Sequence, residues 1–466
     1  MPSVSNPPSL AVVGAGDRGN AYARFALEHP ERLRIAAVAE PDPVRRERFA
    51  ALHRIPAAAV FADWRELLDG PPLADGLLVA TQDSGHLEPA LAALGRGYRL
   101  LLEKPMALDE ASCRAIVDES ERTGNEVVVC HVLRHSSFWR AIRRTLDEGL
   151  IGELVSIEHA ENVSYWHMAH SYVRGNWGRT GESSPMILAK CSHDFDLLRW
   201  YSGAPPVTLA SAGDLHEFRP EKAPPGAPGR CTDGCPAAAS CPYEATRLYL
   251  RGEPLLRDAA QGGGAAGFGA RFILRHPRFA ALVPGLKAYA PWRGWPVSTI
   301  TDDLSDAGIM EALRKGPYGR CVYRAEADQV DHQQTVVEFA NGVTASLTMQ
   351  GHSHREGRTV RLDGTRGTIR GIFAGRGELE VCDHRTGRKA RLPVTGDPLG
   401  HGEADRALMD AFARFLSGGA PPTLVSESLD SHLMAFAAHR SRTERQMVRF
   451  DGISRKTSKT DGSGLD

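Results

Sequence analysis

Two short stretches of this chain carry ionisable residues where a folded protein gains nothing from them unless they are paired or used. The first is "GYRLLLEKPMAL", residues 97–108. Leu100, Leu101 and Leu102 read as a buried strand, and the run stops abruptly at Glu103, Lys104 and Pro105. Charged groups at the end of a buried strand are costly without partners. A lysine in a cleft can hold a substrate hydroxyl by hydrogen bonding, or take its proton if burial lowers its pKa. The bland alternative is a Glu103–Lys104 salt bridge, which the opposite facing of strand neighbours disfavours. The second stretch is "AKCSHDFDLLRW", residues 189–200. His193 and Asp196 are three apart and share a face if the segment is helical. A histidine beside a carboxylate suits proton transfer near neutral pH, although a helix histidine is as often structural. Lys190 adds a cation, and Asp194 a further carboxylate.

A third stretch, "VVGAGDRG", places Gly14, Gly16 and Gly19 in the spacing G-x-G-x-x-G between an apolar run and a helical pattern. Gly14 permits a tight turn, Gly16 lets backbone approach a pyrophosphate, and Gly19 lets helix and strand pack closely. Asp17 and Arg18 lie inside this turn. The helix N-terminus beyond supplies free N–H groups and a positive dipole end. Glu40 follows 21 residues after Gly19, at the end of the next apolar run. A carboxylate there would bind a ribose 2′-hydroxyl and repel a 2′-phosphate, which favours NAD over NADP. Arg45 and Arg46 nearby weaken that preference. Thr81, His86 and Glu103 fall at or just beyond the ends of later strands and are expected to border the same cofactor cleft.

The elements that must hold these groups are legible in the periodicity. Residues 10–130 alternate buried-type runs ("LAVVGAG", "LRIAAVAEPD", "ADGLLVAT", "YRLLLEKP", "NEVVVCH") with helical patterns, which means a doubly wound parallel sheet. Beyond residue 150 the rhythm changes to period two, in "GELVSIEHAENVSY", "QTVVEFANGVTASLTMQGH", "RTVRLDGTRGTIRGIF" and "GELEVCDH", with "NG" and "DG" turn signals. That predicts an open, mainly antiparallel sheet in a C-terminal α/β domain, closed by amphipathic helices near "ADRALMDAFARFLSGG" and "SLDSHLMAFAAHRSRTE". The expected organisation is a cofactor domain over 1–130, a second domain over 131–450 with a Pro-, Gly- and Cys-rich insertion at about 203–325, and a disordered tail at 451–466.

Bulk properties narrow the function. The chain has 466 residues, 42% hydrophobic and 24% charged, with a formal net charge of −1. Near-neutral charge argues against nucleic acid or a membrane surface as the main partner. No apolar run approaches membrane-spanning length, and "MPSVSNPPSL" lacks the pattern of a signal peptide, so a cytoplasmic protein with reduced thiols is expected. Cys231, Cys235 and Cys241, with Cys321, form a candidate tetrahedral structural zinc site; unligated or disulfide-bonded cysteines are the alternative.

The glycine turn, Glu40, "VATQDSGHLEPALAALGRGYRLLLEKPMAL" and "HVLRHSSFWRAIRRTLDEGLIGELVSIE" together resemble the Gfo/Idh/MocA family, over about residues 9–450. The resemblance implies an N-terminal Rossmann domain, a second α/β domain whose sheet often forms the oligomer interface, and NAD(P)-dependent oxidation of sugars, inositols and related polyols. It maps the family's Glu-Lys-Pro lysine to Lys104, expected to contact substrate near the nicotinamide. It also makes residues 189–200 the second active-site segment. His193 and Asp196 match, but Ala189 stands where many members have an aspartate, which leaves Lys104, Lys190 and His193 all open as the base. Arg134, Asp194 and Asp196 are expected to touch substrate. The main expectation is therefore an NAD-dependent oxidoreductase of a sugar, glycoside or polyol, and a homo-oligomer. Two rivals remain: an NAD-dependent, redox-neutral glycoside hydrolase, and a non-catalytic NAD-binding sensor.

Overall fold

The structure is a computed structural model of the full chain, described here for residues 6–261, 264–280, 282–283, 292–374, 377–394 and 402–450. The tail expected to be disordered, and the first five residues of the segment read against a signal peptide, lie outside these.

The buried-type runs of the first third become a six-stranded parallel sheet: β1 (Ser9–Val13), β2 (Arg34–Ala39), β3 (Val60–Phe61), β4 (Gly76–Val79), β5 (Arg99–Leu102) and β6 (Val127–Val129). Its order is β3-β2-β1-β4-β5-β6. The crossover helices are α1 (Asp17–Glu28), α2 (Pro43–His53), α3 (Trp64–Leu68), α4 (Leu87–Gly95) and α5 (Glu110–Thr123). Local chemistry sets their starts. The Asp42 carboxylate accepts the Arg45 N–H at 2.8 Å before Pro43, and Asp109 accepts the Ser112 N–H at 2.8 Å. The order of strands reverses between β1 and β4, so the crevice lies off the C-terminal ends of these strands.

The second sheet has nine strands. They are β7 (Leu154–Ser164), β8 (Pro206–Asp214), β9 (His332–Phe339), β10 (Thr344–Ser353), β11 (Gly357–Gly364), β12 (Gly367–Phe373), β13 (Glu378–Asp383), β14 (Lys389–Arg391) and β15 (Val448–Arg449), in the order β14-β13-β12-β11-β7-β10-β9-β8-β15. Only β7 and β10 run parallel; the other neighbours are antiparallel. Asn341-Gly342 turns the chain from β9 into β10, as its side-chain chemistry predicts, whereas Asp363-Gly364 closes β11 one turn before β12. Helices α6 (Ser137–Asp147) and α7 (Ser192–Ser202) bring Phe138, Trp139, Phe195 and Leu198 to the hydrophobic core that backs the sheet. The other face alternates outward and leaves Val155, Val336 and Ile372 exposed.

The insertion begins only after β8, because Pro206–Asp214 pairs with β9, and it runs to about residue 331. It is less loop-like than its composition implies. Helices α8 (Glu253–Gln261), α9 (Gly264–Arg275) and α10 (Asp306–Lys315) form within it. Ala270 and Ile273, three apart on α9, are buried, so an apolar face outweighs the low propensity of the glycines.

The C-terminal helices stitch the two sheets together. Helix α11 (Gly402–Leu416) leaves the second domain and lays Leu408, Met409 and Phe412 on the core formed by Tyr22, Phe25 and β1. Helix α12 (Val425–Glu444) gives Leu429 and Leu433 to the parallel-sheet core, and Met434 and Ala438 to the second core.

Candidate active site

The glycine turn sits between the ends of β2 and β4. Gly14 has φ of +94°, and its N–H donates to the Ala39 carbonyl at 2.9 Å. A Cβ there would lie 2.5 Å from the Ala80 carbonyl oxygen, and one at Gly19 would lie 2.0 Å from the Gly14 carbonyl oxygen. Side chains at either position would push the turn apart. Gly16 differs: a Cβ there would meet nothing within 4 Å. The turn is thus tight against the protein on two sides and open on the third, at the start of α1. That is the shape a pyrophosphate needs, so the residues fit a dinucleotide. Glu40 is buried against the turn. Its Oε2 accepts the Ala15 N–H at 2.7 Å and its Oε1 the Asp42 N–H at 3.0 Å. Arg46 donates to the carbonyl oxygens of Glu40 at 2.6 Å and Pro41 at 3.1 Å. Asp17 is exposed on the first turn of α1.

Lys104 reaches from the end of β5 to the second segment. Its Nζ donates to the Ala189 carbonyl oxygen at 2.8 Å. The two stretches singled out from the sequence therefore meet, and they do so at the position where the family pattern has a carboxylate. Burial holds the Lys104 amine below its ordinary pKa; Glu103 and Asp83 oppose this, while Lys190 and Arg18 reinforce it. His193, near the start of α7, is buried and meets the His131 ring edge-on, with centroids 5.8 Å apart. His86 anchors the loop: its Nδ1 lies 2.7 Å from the Pro105 carbonyl oxygen and its Nε2 3.2 Å from that of Thr81. The Thr81 hydroxyl donates to Gly85 O at 2.9 Å. Both ring nitrogens of His86 are engaged, so it ties together the ends of β4 and β5.

Several expected contacts are instead satisfied within the protein. Arg18 and Glu103 pair with each other at 2.7 Å, and Asp405 of α11 takes the other edge of the Arg18 guanidinium at 2.8 Å. Tyr22 joins them, donating to Glu103 at 2.8 Å. Burial would raise the Glu103 pKa, but Arg18 and Lys104 bring it below its usual range. Arg18 thereby fastens α11 to the Rossmann domain, and Glu103, expected with it at the cofactor cleft, is held in the same cluster. Arg134 grips Asp196 with Nε and Nη2, at 2.7 and 2.8 Å, and Glu427 of α12 with Nη1 at 2.7 Å. Asp194 accepts from Arg358 at 2.7 Å and lies 2.7 Å from His159 Nε2. Despite burial, Arg358 and His159 hold the Asp194 carboxyl well below its ordinary range. Arg134, Asp194 and Asp196, expected to touch substrate, thus stand in buried ion pairs. Lys190 lies 3.2 Å from Glu161 and 3.5 Å from Glu356. Burial would lower its pKa, but these carboxylates hold it well above the ordinary lysine value. The two carboxylates thus favour its ammonium form.

Sequence reasoning passed over Glu161, Glu356, His131, His167 and Asp83. Glu161 was visible as a charge on an inward position of β7; its partner Arg358 sits directly across the β7–β11 ladder. Glu356 receives the Ser164 N–H at 2.8 Å and lies 2.8 Å from His167 Nδ1. Asp83 takes the Trp177 indole N–H at 3.0 Å, tying the β4 loop to the second domain. The four cysteines Cys231, Cys235, Cys241 and Cys321 do gather around one small pocket with Arg174 and Tyr243, but all are free thiols. No group of histidine, cysteine or acidic residues among the described residues has metal-binding geometry, so the structural zinc is unsupported. No helix of the described residues is long and apolar enough to cross a membrane.

Two domains at this crevice, a dinucleotide-shaped turn and a lysine at the end of β5 define a nucleotide-dependent oxidoreductase fold, and comparison with known proteins agrees. Residues 9–131 match the oxidoreductase family model for the NAD-binding Rossmann fold, and residues 143–250 match that for the C-terminal alpha/beta domain. The chain belongs to the Gfo/Idh/MocA oxidoreductase family. It is 30% identical to an inositol 2-dehydrogenase of Streptomyces avermitilis over 195 residues, which are 42% of this chain and 53% of the relative. The chain thus matches about half the length of such curated relatives. A levoglucosan dehydrogenase in complex with NADH superposes with a TM-score of 0.65 at 16% identity, covering 96% of this chain and 100% of that one. A myo-inositol dehydrogenase from Corynebacterium glutamicum gives 0.60 at 14% identity, covering 96% and 99%. At these identities the solved structures establish the fold.

Proposed function

We propose that the protein is an NAD-dependent oxidoreductase that takes hydride from a secondary hydroxyl of a sugar or polyol. The observation that carries this is Lys104. It stands at the end of β5, on the crevice side of the sheet, with its amine destabilised as a cation by burial and hydrogen-bonded to the Ala189 backbone carbonyl. A group so placed holds a substrate hydroxyl and receives its proton. NAD, when bound, accepts the hydride. The glycine turn cradles the pyrophosphate, Glu40 meets the ribose, and the engagement of Arg46 on backbone carbonyls leaves that guanidinium off a 2′-phosphate, which favours NAD. His193 relays the proton onward, and the fixed charge of Lys190 orients the substrate. The relatives being dehydrogenases supports net oxidation; nothing supports redox-neutral glycoside hydrolysis. Partners on this reading are small sugars or polyols, and a second copy of the chain docked on the open sheet face that exposes Val155, Val336 and Ile372. The compartment proposed is the cytoplasm.

The test is NADH formation, with product mass spectrometry, over a panel of hexoses, inositols and glycosides. Lys104→Met should leave NAD affinity intact and lower kcat by about 100-fold or more. Ordinary turnover in that variant would refute the role.

A further inference from the structure

We infer that the insertion adds a second carbohydrate subsite to this active site. There Trp295 stacks on a ring attached to the substrate and Asp258 hydrogen-bonds its hydroxyls, so the preferred substrates are glycosides oxidised intact. This rests on the proposed dehydrogenase reading and extends it from the reacting ring to the group linked to it.

A chain of contacts joins the subsite to the reacting centre. Lys104 touches Ala189 at 2.8 Å; the next residue, Lys190, lies 3.5 Å from Glu356; Glu356 lies 2.8 Å from His167; and the His167 ring meets the Trp295 ring edge-on at 4.9 Å. Trp295 is braced by the Trp166 ring at 5.6 Å yet remains 43% exposed. The His170 ring also meets it at 5.6 Å, and an indole so held yet partly exposed is costly to leave in water. The C–H face of a pyranose is apolar and carries slight positive charge, and so complements the negative face of an aromatic ring. Asp258, on α8, receives the Trp166 indole N–H at 2.8 Å and lies within electrostatic range of Glu356, Arg355 and His354. Burial pushes its carboxyl up to about 6, so it can donate as well as accept near neutral pH. Aromatic walls with a few convergent polar groups are what small-molecule sites are made of. Asp258 and Trp295 also lie beyond residue 250, where the match to the family's C-terminal domain ends. Both lie in the insertion between β8 and β9, outside the strands of either sheet.

The probes are glucose, galactose, mannose and myo-inositol, set against the phenyl glycosides of the three hexoses. The wild-type protein should favour at least one phenyl glycoside by kcat/KM. Trp295→Ala should raise KM for that glycoside about tenfold and leave kcat, NAD affinity and the KM of the free sugars unchanged. Trp295→Phe should keep most of the affinity, and Asp258→Asn should weaken it. Equal KM changes for free sugar and glycoside, or none for either, would overturn the subsite. If no probe is oxidised, the dehydrogenase reading fails. Calorimetry of phenyl glycosides with the NADH-saturated protein then decides the subsite separately: binding lost in Trp295→Ala supports it, and no binding overturns it.

Discussion

Replacing Arg134 by methionine separates two roles that its position allows. If the guanidinium touched substrate, its loss would raise KM and leave stability alone. In the structure Arg134 is 6% exposed and Asp196 1%, and two nitrogens meet two oxygens at 2.7 and 2.8 Å. Without Arg134, the nearest cationic group to Asp196 is His131, whose Nε2 is 3.7 Å away and whose own pKa burial holds well below the usual value, so it brings no charge. A buried carboxylate stripped of its partner costs about 3–5 kcal/mol. With a urea m-value of about 3 kcal/mol/M, the unfolding midpoint should fall by roughly 1–1.7 M. Removing Asp196 as well should recover much of this, because Arg134→Met with Asp196→Leu leaves no orphaned charge. Urea titrations followed by circular dichroism, on the wild type, the single variant and the double variant, give the comparison. A midpoint lowered by less than about 0.3 M, together with a raised KM, would refute the ion-pair reading and return Arg134 to the substrate.

Gly19→Ala places a Cβ 2.0 Å from the Gly14 carbonyl oxygen, so the turn must open; NAD affinity measured by calorimetry should fall at least about tenfold. Asp258→Asn should stabilise the protein at pH 7.5 and not at pH 4. The wild type ionises a carboxyl held at about 6 against an ordinary 3.8, a penalty of up to about 3 kcal/mol that is full above the folded value and fades as pH falls from there toward 3.8. Thermal melts across that range check it, since Glu356, Arg355 and His354 remain in both proteins.

The parallel sheet was legible because each strand is short, apolar and followed by a helical pattern, and the second sheet because β9 alternates without interruption. The packing of α11 was not. "ADRALMDAFARFL" announces an amphipathic helix but not which core it joins, and its Asp405 finds Arg18 nearly four hundred positions earlier. The site residues divide on the same principle. Gly14, Gly19 and Lys104 act through backbone geometry or a strand end, which local sequence specifies. Arg18, Arg134, Asp194 and Asp196 are charges in the correct region, and whether a charge faces a ligand or a neighbour depends on register between distant elements. Arg358 illustrates this: it meets Glu161 because β11 and β7 pair in one particular alignment, and Asp194 because α7 lies beneath them.

Ala189 is the point at which this chain rebalances the charge around its lysine. A carboxylate at that position would favour the ammonium form of Lys104 and could itself take the proton. Here a backbone carbonyl fills the place, and Lys190 next door sends its charge to Glu161 and Glu356 while still disfavouring a second cation. The consequence is that Lys104 is the easier amine to deprotonate. Ala189→Asp should reverse this: the added negative charge raises the Lys104 pKa, lowers the free-amine fraction at neutral pH and moves the rising limb of kcat against pH upward. Activity on the acid side should drop by about tenfold for each pH unit of that displacement, and recover at alkaline pH. Ala189→Asn, similar in volume but neutral, should leave the limb in place. A limb unmoved in both variants would mean that the proton leaves through another group, with His193 the first to test.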